Sequence, residues 1–297
     1  MEKQWAGTTY GNNWMHRWLI RILRHMDVRV LYVFVAVFVI PVCLVVNPAT
    51  GVTYRYFRRH WRFSPLKSAK MTYKNFMLFS QVVIDRFAMY AGKKFDMKEE
   101  GGECFQRLAS SEAGFIMLSA HIGNYELAGY TLRTESKRFN ALVFGGEKES
   151  VMENRNRMFE GTNIRMISIG DDMSHLFEIN AALADGEIVS MPADRMLGSR
   201  KSIVLPFLGK EARFPVGPFS IATMRGLECI AVNVMKTSAV GYTIYVAPLH
   251  YDKSADRGEQ TLQLARGYVG ELERILAMYP EQWYNYYEFW GNEQRHP

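Results

Sequence analysis

The sequence predicts an α/β fold, a mostly parallel central sheet flanked by helices, with an N-terminal membrane-anchoring helix in front of it. Three observations carry that expectation. From residue 115 onward, short apolar runs bounded by turn signals alternate with helix-like segments. Most successive runs are separated by enough chain for the crossover that parallel strands require. Near the N-terminus, residues 30–46 form one apolar run without a charge.

The N-terminal run reads VLYVFVAVFVIPVCLVV, and no charge returns until Arg55. Its seventeen residues lie at the lower limit for crossing a bilayer, and Pro41 interrupts them. No A-x-A-like cleavage site follows, which argues against a removed signal peptide. The segment either spans once or lies as a kinked, half-inserted anchor; a buried core helix is the plain alternative. Arg17, Arg21, Arg24 and Arg29 precede it, and Arg55, Arg58, Arg59, Arg62, Lys67, Lys70 and Lys74 follow. The heavier positive charge on the C-terminal side puts the main domain on the cytoplasmic face of the inner membrane. Trp5, Trp14, Trp18 and Tyr32 suit the head-group region. A division is expected between an anchoring segment, residues 1–62, and a main domain, residues 63–297.

The 297 residues give ample chain for one large domain, and a net charge of +6 favours anionic partners such as lipid head groups or an acidic carrier protein. No nucleic-acid motif is visible. Cys43, Cys104 and Cys229 lie far apart without metal spacing, and read as reduced, buried thiols.

Residues 66–92 follow an amphipathic helical pattern. Residues 115–120 are a buried strand, and residues 125–132 a helix entered through Gly123-Asn124 as turn and cap. Further strands are expected at 140–145, 165–169 and 187–191, with helices at 148–161 and 173–183 between them. Residues 202–226, broken by Pro206, Gly209, Pro215, Gly217 and Pro218, read as a loop-rich crossing into a helix over 219–225. Residues 228–236 and 242–246 are strands paired as an antiparallel edge. A helix over 260–278 and the aromatic tail YPEQWYNYYEFW close the chain; the tail either covers an apolar groove or rests on lipid.

The chemistry concentrates in SAHIGNYELAGY. Residues five apart on one helix point about 140° away from each other, so His121 and Glu126 meet only if His121 lies on the loop and Glu126 in the first helical turn. That places a histidine base beside an orienting carboxylate at the carboxyl edge of a strand, a frequent site of chemistry in α/β sheets. A histidine near a helix start is also a common capping or surface residue. Asp194, in Pro192-Ala193-Asp194-Arg195, occupies a strand end in the same register as His121.

Four segments in order now resemble a known family: His121 to Glu126 within SAHIGNYELAGY, Pro192 to Arg195, LPFLGKEARFPVGP, and YPEQW. The chain resembles the bacterial lipid A late acyltransferases, which carry an H-x4-E or H-x4-D signature. It departs from them in Ile122 and Tyr125, in Arg195 where glutamine is usual, and in its aromatic tail. The opening segment is similar to relatives associated with aryl-polyene or amino-lipid pathways.

The resemblance implies a glycerolipid-acyltransferase-like fold and transfer of a fatty acyl group from a thioester to a hydroxyl or amine of a membrane lipid. His121 would be the general base, with Glu126 fixing its tautomer. Gly123 would let the acceptor approach the backbone, where nearby N–H groups at the helix start would stabilise the oxyanion, although a plain turn residue fits Gly123 equally well. Arg157, with Arg155 as competitor, would bind an anionic group of acceptor or donor, because a guanidinium holds phosphate bidentately. Asp194 would orient Arg157 or contact substrate, and Asn124 and Arg195 complete the expected substrate contacts. No metal or cofactor is expected; the donor substrate is acyl carrier protein or, second, acyl-coenzyme A. Two other readings remain open here: a lipid-binding scaffold retaining the fold, and a thioesterase or esterase using water as acceptor.

Overall fold

A computed structural model describes residues 13–128, 132, 134, 136–144, 162–170, 174–196 and 201–291. A seven-stranded sheet forms the centre, in the order β1-β9-β8-β2-β5-β3-β4. The strands are β1 (Asp96–Glu100), β2 (Phe115–Ser119), β3 (Phe139–Phe144), β4 (Ile164–Ile169), β5 (Ile188–Pro192), β8 (Cys229–Lys236) and β9 (Gly241–Leu249). Strands β8, β2, β5, β3 and β4 run parallel, whereas β9 pairs antiparallel with β8 and parallel with β1. The mostly parallel, helix-flanked sheet is thus present.

The expected antiparallel pair exists but is not the edge, because β1 covers β9. Sequence patterning misses β1, whose residues DMKEE are almost all exposed. A polar edge strand carries no apolar alternation to read.

The central strand β2 is buried at all five positions, as an apolar run between two layers of helices requires. Its alternation divides the core. Ile116 and Leu118 join the cluster that contains Leu264, Tyr268, Leu272 and Ile275 of helix α8 (Arg257–Met278). Phe115 and Met117 join Phe105 and Leu108 of helix α5 (Gly102–Ala109) on the other face.

Helix α6 (Ser174–Ala184) precedes β5, and helix α7 (Gly217–Met224) starts with its proline in the first turn. Between them the chain departs from the expected loop. The segment expected as a loop-rich crossing is a two-stranded hairpin, β6 (Ser202–Phe207) and β7 (Lys210–Pro215). Leu208 and Gly209 turn it with φ of +49° and +80°, the two left-handed residues that a tight hairpin favours. Pro206 and Pro215 fit because a two-stranded ribbon has an unpaired outer side on each strand.

The N-terminal region begins with α1 (Asn13–His25), followed by the apolar helix α2 (Val28–Val46). A π-turn over Val35–Val39 leads into Pro41, a local widening that accommodates the missing proline N–H. Helix α3 (Ala49–Arg59) connects to α4 (Pro65–Tyr90), which Ser64 caps by accepting the Lys67 N–H at 3.3 Å. One face of α2 rests on α4: Tyr32 and Ile40 are buried, and the Tyr73 hydroxyl donates to the Ala36 carbonyl at 2.8 Å. The opposite face exposes Val30, Val33, Phe34, Val37, Phe38, Val42 and Val45. Only 17% of the apolar window is buried, so α2 is not a core helix. Of the cysteines, Cys229 is buried, whereas Cys43 and Cys104 are half-buried.

Candidate active site

Register between two parallel strands builds the site. Ser119 at the end of β2 is paired with Pro192 at the end of β5, and the Ala193 N–H donates to the Ser119 carbonyl at 2.9 Å. Continuing that register by two residues sets His121 opposite Asp194. The Asp194 carboxylate accepts the His121 backbone N–H at 3.0 Å through Oδ2 and bonds the ring Nδ1 at 2.7 Å through Oδ1. Both oxygens therefore hold one residue, fixing its main chain and its ring together. The Tyr268 hydroxyl, donating to the Ser119 carbonyl at 2.8 Å, supports the strand end from α8.

Asp194 is 1% exposed, whereas the His121 side chain keeps 13% of its surface. Burial by itself would push the Asp194 carboxyl up. The His121 ring, the hydrogen bonds from His121 and the Arg195 charge outweigh it and hold the group below the usual carboxylate range. An ionised Asp194 accepts Nδ1–H, which leaves the lone pair of a neutral imidazole on Nε2.

Glu126 does not take the place expected for it. It sits in a single 3-10 turn, Tyr125–Leu127, and its carboxylate pairs with Arg86 of α4 at 2.8 Å. The nitrogen that an orienting carboxylate must reach is already bonded to Asp194. Asp194, in turn, is bonded to the histidine through both carboxylate oxygens.

Gly123 also changes role. Its N–H donates to the Gln282 carbonyl at 2.8 Å, so it does not point at an oxyanion. With φ at +52°, and with a Cβ that would lie 2.0 Å from the Val234 carbonyl oxygen, the glycine is required for close approach to β8. Asn124 is buried and donates its N–H to the Val234 carbonyl at 2.7 Å, while Nδ2 reaches the Tyr242 hydroxyl at 3.4 Å. Its side chain makes no helix-cap bond. Arg195 donates to the Tyr284 carbonyl at 3.1 Å and lies over the Tyr287 ring. Arg155 and Arg157, with the expected helix over 148–161, lie outside the described residues.

The YPEQW segment clamps this loop. Ile122 and Trp283 form an antiparallel bridge, and the Tyr284 N–H donates to the His121 carbonyl at 3.3 Å. The Gln282 side chain accepts the Lys236 N–H at 2.9 Å and donates to the Lys236 carbonyl at 2.8 Å. The aromatic tail covers an apolar surface: Trp283, Phe289 and Trp290 pack around Phe207 of the hairpin.

A second charged cluster, absent from the sequence reading, lies behind the loop. Asp85 of α4 is fully buried and accepts from Lys236 Nζ at 2.5 Å and from the hydroxyls of Tyr32 and Tyr242. The one signal available was a lone carboxylate among Val82, Val83, Ile84 and Phe87. Among the described residues, no three His, Cys, Asp or Glu side chains come together as a metal-binding group.

The model of a protein family described as "Bacterial lipid A biosynthesis acyltransferase" matches residues 78–290, more than two thirds of the chain. The chain belongs to that family. No curated protein matches it. A similar solved structure is the 1-acyl-sn-glycerophosphate (LPA) acyltransferase, PlsC, from Thermotoga maritima, at 16% identity and a TM-score of 0.40, covering 91% of this chain and 100% of that one. As a lipid A acyltransferase family member, the protein is an enzyme of acyl transfer to a lipid, and the exposed apolar face of α2 accords with membrane association.

Proposed function

We propose that this acyltransferase moves a fatty acyl group from a thioester donor, acyl carrier protein before acyl-coenzyme A, to a hydroxyl or amine of an envelope lipid. The observation that carries the reading is the His121–Asp194 pair at the paired ends of β2 and β5. A lipid hydroxyl is a poor nucleophile at neutral pH, so a base must take its proton as it attacks the thioester carbonyl. His121 Nε2 supplies that base. Asp194 holds the tautomer and stabilises the imidazolium that forms. The imidazolium then returns the proton to the departing thiolate, so that acylated lipid and free thiol leave the enzyme. Glu126 acts through Arg86, tying the 3-10 turn to α4. The basic residues after α2 support a domain on the cytoplasmic side, where a carrier protein is available.

Lipid mass spectrometry on membranes from cells with wild-type protein, a deletion and His121→Ala tests the reading. The expected result is loss of one acylated lipid in both altered strains, with accumulation of a precursor lighter by one acyl group. A wild-type lipid profile in His121→Ala removes the catalytic assignment and favours a binding role. Release of free fatty acid by the purified enzyme without a lipid acceptor would favour a hydrolase.

A further inference from the structure

The C-terminal segment meets the His121 loop through a very short ladder. The Gly123 N–H donates to the Gln282 carbonyl at 2.8 Å, and the Tyr284 N–H to the His121 carbonyl at 3.3 Å, on either side of the Ile122–Trp283 bridge. Residues 281–284 are all buried, so no alternation of buried and exposed faces selects their register. Side chains from two other elements hold it instead. The buried Gln282 side chain takes both main-chain groups of Lys236 in β8, accepting the N–H at 2.9 Å and donating to the carbonyl at 2.8 Å. Asn75 of α4, also buried, donates through Nδ2 to the Glu281 and Trp283 carbonyls, both at 2.9 Å.

We propose that Gln282 and Asn75 are positioning residues for His121, setting the register in which the C-terminal segment pairs with its loop. Side-chain chemistry selects one alignment. Among Glu281, Gln282 and Trp283, only the Gln282 amide carries both a donor and an acceptor and can serve the Lys236 N–H and carbonyl together. The Glu281 carboxylate, ion-paired with Lys74 at 2.6 Å, only accepts, and the Trp283 indole only donates. Asn75 completes the selection, because successive carbonyls of an extended segment point to opposite sides. Those of Glu281 and Trp283 face α4, and that of Gln282 faces the loop. A slip by one residue forfeits these bonds and leaves buried main-chain groups unpaired.

The register reaches the base through the main chain. Asp194 holds the His121 N–H and ring from the end of β5, and Tyr284 holds the His121 carbonyl from the other side. The residue is pinned at both its main-chain groups, and the 2.7 Å bond between Nδ1 and Asp194 follows from that placement. Moving a base by about 1 Å from its productive geometry can cost about a hundredfold in rate. The inference rests on the reading of His121 as the base, and deepens it with two residues that are not bonded to the imidazole.

Nitrogen-15 NMR of the imidazoles in the detergent-solubilised full chain, with the His121 signals assigned from His121→Gln, reads the tautomer without any substrate. The wild type is expected to show His121 as the Nδ1–H form. Gln282→Met, similar in length but without donor or acceptor, and Asn75→Ala, on a separate element, are expected to mix the two tautomers. The cellular ratio of acylated lipid to its lighter precursor should fall at least about tenfold in both, at equal protein abundance. Spectra are taken below the unfolding transition of each variant. If Gln282→Met does not fold, Gln282→Asn replaces it, an amide one methylene too short to reach both Lys236 groups. Lys74→Gln changes only the exposed partner of Glu281 and should match wild type in both measurements. The proposal is overturned if the Gln282 and Asn75 variants keep the wild-type tautomer. An equal loss in Lys74→Gln also overturns it, since that marks general loosening of the segment. Mixed tautomers with an unchanged lipid ratio would uphold the positioning and remove His121 from the reaction.

Discussion

Asp194 and Asp85 are both buried carboxylates with a basic partner, yet they are built for opposite ends. Asp194 gives both oxygens to His121, whose ring stays partly exposed at the strand edge. Asp85 accepts from Lys236, Tyr32 and Tyr242, and Lys236 keeps 2% of its side-chain surface. Burial is the largest influence on that second pair, pushing Asp85 up and Lys236 down against their mutual attraction. A charge pair that leaves the histidine ring partly exposed suits the proton transfer proposed for it. A pair sealed by its donors serves placement, and this one ties α2, α4, β8 and β9 together.

The comparison is most sharply tested by kinetics. Asp194→Asn should lower kcat by about 10²–10⁴, because the amide no longer selects the tautomer or stabilises the imidazolium. Glu126→Gln, which weakens the tie to Arg86, should cost less than about tenfold. Steady-state assays on both variants decide the matter. If Glu126→Gln proves the more damaging, the orienting carboxylate is Glu126 and the reading of Asp194 is wrong.

The sealed pair should show its effect in stability. Lys236→Met leaves Asp85 buried without its cation and should destabilise the fold by about 3–5 kcal/mol. Adding Asp85→Leu should recover part of that loss, since it removes the stranded charge. Thermal unfolding of the detergent-solubilised protein measures both. A Lys236→Met variant as stable as wild type would show that the cluster contributes little.

The smallest effect is a pH dependence. The folded state holds the Asp194 carboxyl below its unfolded value, near 3.9 for a free aspartate. Its contribution is therefore fully present above that unfolded value and lost as pH falls through the folded one. Asp194→Asn should accordingly flatten the stability loss of the wild type below about pH 4. Unfolding temperatures across an acid series would reveal it; parallel curves for the two proteins would refute it.

Much of the fold was legible because its signal is local. The apolar runs that became β2, β3, β4, β5, β8 and β9 are short and bounded by turns, and their ends fall within a few residues of the expected ones. Polar β1 carries no such pattern. The hairpin β6–β7 was hidden by prolines that break a central strand but are tolerated in a ribbon. His121 was legible for the same local reason, since it directly follows a buried strand. Its partner was legible only in part, since Asp194 was placed in the same register while the orienting role was given to Glu126. Glu126 lies five residues away in sequence and attracted the assignment, whereas Asp194 lies 73 residues away and is brought in by pairing. YPEQW was visible as a motif without a physical role, until the bonds of Gln282 and Tyr284 placed it on the loop.

The sequence by itself determined the apolar strands of the sheet, the long helices, the apolar N-terminal segment and the residue that carries the proposed base. Each depends on periodicity or composition within a short window, where neighbours along the chain are neighbours in space. The tertiary structure decided which carboxylate meets that base, which charges are sealed inside, and which aromatic segment holds the loop. Those contacts join residues distant along the chain, and they are specified by sheet register and packing.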